Sequence, residues 1–125
     1  MAHANKFCTS ISCIDGRIQL PIIHWLKEKY NVSYVDTITN YAVDKLFSNK
    51  NSIQEIKDNV LLSISTHGSK LVVISGHYDC IENPVSKKEH MIQIKNATSI
   101  IQSWDMKVEV IGVWVNEDWE LETLK

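Results

Sequence analysis

Short apolar runs and amphipathic stretches trade places along the whole chain. Residues Lys6 to Ser12, "KFCTSIS", alternate and predict a strand ending at Cys13. After a turn around Gly16, "LPIIHWLKEKY" sets Leu20, Ile22, Ile23 and Leu26 at helical spacing, with Pro21 in the first turn, where proline is tolerated. "SYVDTIT" predicts a second strand, Tyr34 to Ile38, and the polar stretch Asn40 to Asn51 predicts no element. Ser52 and Glu55 have the spacing of a capping box, opening a helix with Ile53, Ile56, Val60, Leu61 and Ile64 on one face and Gly68 as its stop. "KLVVISG", Lys70 to Gly76, is a mostly β-branched run suited to a strand covered on both sides.

A second capping box, Ser86 and Glu89, opens a helix carrying Met91, Ile92, Ile94, Ile101 and Trp104. "KVEVIGVWV", Lys107 to Val115, predicts a fourth strand, and the turn "NED" leads to a short last strand in "WELETL". The order is β-α-β-α-β-α-β-β. Such alternation predicts an α/β fold: a mainly parallel sheet with helices on both faces and a C-terminal antiparallel edge hairpin.

Composition narrows the function classes. With 125 residues, one domain with a single core is expected. Thirteen basic against fifteen acidic residues give a net charge of −2, without the basic excess of a nucleic-acid binder. No apolar run approaches membrane-spanning length, and the opening "MAHANKF" lacks the apolar region of a signal peptide, so neither membrane nor export is expected. The expected compartment is the cytoplasm. Three cysteines, an odd number, point away from a disulfide framework and towards buried, reactive or metal-bound thiols.

The chemistry concentrates at two strand ends. In "VVISGHYDC" the apolar run breaks into His77 and Cys80, an H-x-x-C spacing that lets two ligands in one turn reach one ion. Cys13 also leaves the carboxyl end of a strand. If the first and third strands are neighbours, the three converge in the crevice that open α/β sheets use for ligands. Two cysteines and one histidine, with one position left over, are a catalytic zinc pattern, because structural sites close with four protein ligands. Cys8 lies about 16 Å upstream at strand rise and on the opposite strand face, and reads as a small buried hydrophobe. Next to Cys13, "CIDGR" sets Asp15 and Arg17 two apart. They read either as a charge-assisted pair at the metal or as a turn residue and a surface cation.

Together "CIDGR" and "GHYDC" resemble the β-class carbonic anhydrases, marked by C-x-D-x-R after the first strand and H-x-x-C after a later one. The likeness extends to "EVIGVWVNEDWELETL" and covers most of residues 6–124. It implies Zn2+ held by Cys13, His77 and Cys80, with Asp15 and Arg17 as the family's functional dyad. It also implies that Asp15 can serve as a fourth ligand in a closed state. The implied reaction is reversible hydration of carbon dioxide to bicarbonate by a zinc-bound hydroxide. Homodimers or higher homo-oligomers are implied as well, since the family builds its site at a dimer interface. The chain departs from the family at Gly16, usually serine, at Ile81, usually glycine, and at Thr39 to Ala42, where only Asn40 matches; these positions shape the family's pocket.

Two rival functions stand beside this one: a zinc hydrolase of carbonyl sulfide or carbon disulfide, favoured by a more apolar pocket at Ile81 and Tyr41, and a non-catalytic zinc module. The latter needs neither Asp15 nor Arg17. The remaining conspicuous residues have plain readings. Trp25, Trp104, Trp114 and Trp119 read as core or interface aromatics, His24 as a surface residue, and His67 as a cation at a helix end. His90 reads as an exposed histidine able to shuttle protons, and Tyr78 and Asp79 as lining the site or shaping the turn.

Overall fold

The computed structural model describes residues 6–49 and 52–124. The opening five residues and positions 50 and 51 of the polar stretch lie outside the described residues. The elements follow the expected alternation: β1 (Phe7–Ser12), α1 (Gly16–Tyr30), β2 (Tyr34–Thr39), α2 (Val43–Leu46), α3 (Gln54–His67), β3 (Leu71–His77), α4 (Lys87–Ser103), β4 (Glu109–Val115) and β5 (Leu121–Thr123). They form one five-stranded sheet of order β2-β1-β3-β4-β5, parallel except for the β4–β5 pair.

Strand parity sorts the core into two layers. On one face Ile11, Val72, Ile74 and Trp114 pack against α2, α3 and α4 through Val43, Ile56, Val60, Ile94 and Ile101. On the other, Cys8, Val73, Val113 and Val115 meet Ile18, Ile22 and Leu26 of α1. β3 lies between the two layers and buries all seven residues, which explains its unbroken apolar run. Among the described residues no helix is long and apolar enough to cross a membrane.

Several local expectations are corrected. α1 begins at Gly16, earlier than its apolar spacing suggests, because the Asp15 side chain caps it by accepting from Arg17 N–H at 2.9 Å. Pro21 therefore sits inside the helix, where it forfeits one hydrogen bond. Ser52 caps nothing: α3 starts after Ile53 without a side-chain cap, and Leu61 faces outward while Ser63 is buried. In α4 the Ser86 cap forms as expected, accepting from Glu89 N–H at 3.1 Å. Ile92, however, points to solvent, and the buried stripe runs His90, Ile94, Ala97, Ile101. Gly68 ends α3 in the left-handed conformation, φ 70°, as expected.

The polar stretch hides the largest surprise. It contains α2, and Val43, Asp44 and Phe47 are all buried. Asp44 lies so close to β3 that a Cβ on Gly76 would stand 2.6 Å from its Oδ2. Glycine is required there by packing, not by backbone conformation.

Candidate metal centre

β1 and β3 are parallel neighbours, with Thr9, Ser10 and Ile11 opposite Val72, Val73 and Ile74. Chain order reverses between them, β2 lying beyond β1 on one side and β4 beyond β3 on the other. Ligand crevices open at the carboxyl ends of such a switch point. Cys13 follows the last residue of β1, His77 is the last residue of β3, and Cys80 ends the next turn. The three meet: the Sγ atoms of Cys13 and Cys80 and a ring nitrogen of His77 lie within 4.8 Å of one another, and all three residues are buried. Cys8 is completely buried, as expected. It shares the α1 face of the core with Cys13 rather than opposing it, because β1 ends at Ser12 and strand parity no longer governs Cys13.

The donor chemistry fits a metal ion. His77 Nδ1 stands 2.8 Å from the Tyr78 carbonyl oxygen and donates its proton there, which leaves Nε2 as the free lone pair. Nε2 is buried with no hydrogen-bond partner, and no other described buried side-chain nitrogen or oxygen is so placed. An orphaned acceptor in a buried site asks for a ligand. The cysteines interact strongly. Cys13 is held far below the ordinary thiol range, chiefly by the hydrogen bond that Cys80 donates to it and against the effect of burial. The neighbouring His77 ring, and then the backbone N–H groups of Ala42 and Asp15, lower it further. Cys80 is pushed up by the same bond and by burial. A divalent ion would bind the pair with loss of its thiol protons.

Asp15 stands outside that trio and turns to Arg17. The guanidinium clasps its carboxylate with two bonds, Nε to Oδ1 at 3.0 Å and Nη2 to Oδ2 at 2.7 Å. Asp15 and Arg17 thus form a charge-assisted pair beside the trio, while Asp15 also caps α1. The Arg17 hydrogen bond holds the Asp15 carboxyl at about 2, well under its ordinary value, and the same bond raises the guanidinium pKa. In the described conformation the Asp15 carboxylate pairs with Arg17 and is not part of the Cys13–His77–Cys80 group.

A shallow cavity of about 170 Å³ opens over the trio, lined by Cys13, Ile14, Asp15, Tyr41, His77, Cys80, Ile81 and Glu82. Its rim is apolar and exposed: Ile14 is 61% accessible, Tyr41 53% and Ile81 75%. A larger hollow of about 580 Å³ between β2 and α3 shares no lining residue with the trio.

Other residues fall differently from expectation. His90 is buried, not exposed, with Nδ1 2.6 Å from Asp44 Oδ2. His67 does end α3 as expected, and there it pairs with Asp36 at 2.7 Å and stacks on Phe7. Asp79 and Trp119 both contact Arg17, a role the chain pattern does not reveal: Asp79 Oδ2 accepts from Nη1 at 3.1 Å, and the guanidinium lies 4.8 Å from the Trp119 ring centroid. The available signal was the rarity of arginine, since Arg17 is the only one in the sequence.

A family model described as "Putative carbonic anhydrase" matches residues 3–125. No curated protein matches the sequence. Among solved structures, a carbonic anhydrase from Glaciozyma antarctica superposes with a TM-score of 0.61 at 12% identity, covering 92% of this chain and 80% of that one. Tetrameric β-carbonic anhydrases from Sordaria macrospora give 0.58 at 14% identity, covering 97% and 81%. A carbonic anhydrase from Streptococcus mutans gives 0.56 at 11%, covering 94% and 81%. At such identities the structures testify to a shared fold, while the family match spans almost the whole sequence. The chain belongs to this carbonic anhydrase family.

Proposed function

We propose that the protein binds Zn2+ through Cys13, His77 and Cys80 and catalyses the reversible hydration of carbon dioxide to bicarbonate. The observation that carries this reading is the orphaned His77 Nε2 between two thiols, with the Asp15–Arg17 pair beside it. Zinc bound by these groups would supply a water-derived nucleophile near neutral pH, where carbon dioxide alone reacts slowly.

The chain's own groups do the rest. Asp15, ionised and fixed by Arg17, accepts a hydrogen bond from the attacking water and orients it. Arg17 keeps that carboxylate from turning inward. Ile14, Tyr41 and Ile81 form an apolar approach suited to a small uncharged electrophile. The same rim supports a second reading, hydrolysis of carbonyl sulfide or carbon disulfide, because these substrates are more apolar than carbon dioxide. Exposed Ile14, Tyr41 and Ile81 also suit a second copy of the chain seated across the mouth, so a homodimer or higher homo-oligomer is the assembly we favour. Thiol ligands fit a reducing compartment such as the cytoplasm.

Stopped-flow carbon dioxide hydration, on protein whose zinc is quantified in the same sample, tests this directly. We expect turnover that rises with pH. Asp15→Asn should reduce kcat at least tenfold while zinc content stays unchanged. Full zinc occupancy without hydration would sink the reading, and turnover of carbonyl sulfide by that sample would establish the second.

A further inference from the structure

We propose that Asp79 and Trp119 are positioning residues for Arg17, holding its guanidinium so that the Asp15 carboxylate stays aimed at the cavity mouth. The inference rests on the carbonic anhydrase reading for its catalytic consequence, and on geometry alone for the clamp.

Every nitrogen of the guanidinium is engaged. Nε and Nη2 hold Asp15, Nη1 donates to Asp79 Oδ2 at 3.1 Å, and Nη2 donates to the Asp79 backbone oxygen at 3.1 Å. Trp119 covers one face at 4.8 Å. The three residues come from α1, from the turn between His77 and Cys80, and from the β4–β5 turn, so the clamp exists only in the folded chain.

Both supports are stiffly mounted. Asp79 adopts φ 59°, turning its carbonyl and carboxylate to the same partner. Trp119 also adopts φ 59°, a rare state for a bulky residue, and persists there because Asn116 secures the turn. Asn116 Oδ1 accepts from Asp118 N–H at 2.9 Å and from Glu120 N–H at 3.0 Å, and the Asn116 carbonyl accepts from Trp119 N–H at 2.9 Å. The Tyr78 ring braces the indole edge-on, centroids 6.4 Å apart.

The fold gains little from this arrangement. Arg17 and Asp79 keep 43% and 53% of their side-chain surface in solvent, where ion pairs contribute almost nothing net and ordering a long side chain costs entropy. What the clamp provides is a carboxylate of fixed direction. It also suits the one arginine among twelve lysines: an ammonium lacks the planar fork that grips the Asp15 carboxylate at two points while it lies flat on an aromatic face.

Because Arg17 is unique, zinc-loaded protein grown with 15N-arginine yields a single Nε–Hε resonance that needs no assignment. We expect it to be sharp and slowly exchanging in the wild type. In Trp119→Ala and in Asp79→Asn it should shift towards the free-arginine position and exchange faster than in the wild type. Carbon dioxide kcat should fall roughly tenfold with KM little changed, zinc content and melting temperature should hold, and Trp119→Phe should restore both signals. An Arg17 resonance identical to wild type in both variants overturns the clamp, whatever happens to activity. A resonance that responds in the variants, when the wild-type protein itself shows no hydration, keeps the clamp and removes the carbon dioxide reading instead.

Discussion

Two carboxylate-centred clusters face opposite fates in this protein. Asp15, Arg17 and Asp79 sit at the surface, whereas Asp44, His90, Asn83 and Gln93 are joined in the interior. The side chains of Asp44 and His90 are each 3% accessible. Asn83 donates to Asp44 Oδ1 at 3.2 Å and to Gln93 at 2.7 Å, and its backbone N–H donates to the Cys80 carbonyl at 3.2 Å. The inner cluster ties α2, α4 and the turn after Cys80 into one unit. The outer one ties a side chain to a direction. In a dry interior an unmade polar contact is costly, while in water it is nearly free. The inner cluster therefore belongs to the stability of the site's walls, and the outer one, under the proposed function, to its chemistry.

The sharpest way to break that contrast is Asp44→Ala, which strands His90 and Asn83 in the core. Urea unfolding should show a loss of roughly 3–5 kcal/mol; a loss under about 1 kcal/mol would mean the inner set holds nothing. Next comes Gly76→Ala, whose new Cβ meets Asp44 Oδ2 at 2.6 Å and Ile94 Cδ1 at 2.9 Å. Overpacking there should cost roughly 1–3 kcal/mol, and less in an Asp44→Ala background, since the two substitutions share one contact.

A smaller effect concerns Cys8, whose thiol burial, and then the Asp36 carboxylate, push up to about 11 from 9.0. The unfolded chain loses that proton first, so the contribution is complete below pH 9.0 and is lost as pH rises towards about 11. Cys8→Ala should show a shallower alkaline decline than wild type in unfolding series across that window; parallel curves would count against it. Smallest of all in stability is Arg17→Lys, which should leave the urea midpoint where it was. The same variant should lower kcat/KM for carbon dioxide by roughly a hundredfold, and a protein that loses stability but keeps turnover would invert the comparison.

How far the chain could be read follows the same division. Cys13, His77 and Cys80 announced themselves because two short motifs fell at the ends of strands with unmistakable apolar runs, and the β1–β3 pairing then brought them together. Asp44 stayed hidden because a four-residue helix in a polar stretch has no period to detect, and its burial depends on the close approach that Gly76 permits. Ser52 looked like a cap, but nothing in a local pattern shows that α3 would start after Ile53. Pro21 was misplaced because Asp15 reads in the sequence as half of an ion pair or as a turn residue, and its capping of α1 shows only in the fold. The Arg17–Asp79 and Arg17–Trp119 contacts join residues far apart in the chain, and they emerge only when the start of α1 meets two turns.

The distance along the chain between Cys13 and Cys80 has one more consequence. An ion held by both, together with His77, would close a loop of roughly sixty to seventy residues, and a cross-link of that span removes several kcal/mol of freedom from the unfolded ensemble by chain-entropy estimates. That loop contains α1, β2, α2, α3 and all of β3. The same atom that furnishes the reactive corner would thus act as a polymer staple, and a chain whose first and third strands had not yet paired would offer it no complete seat.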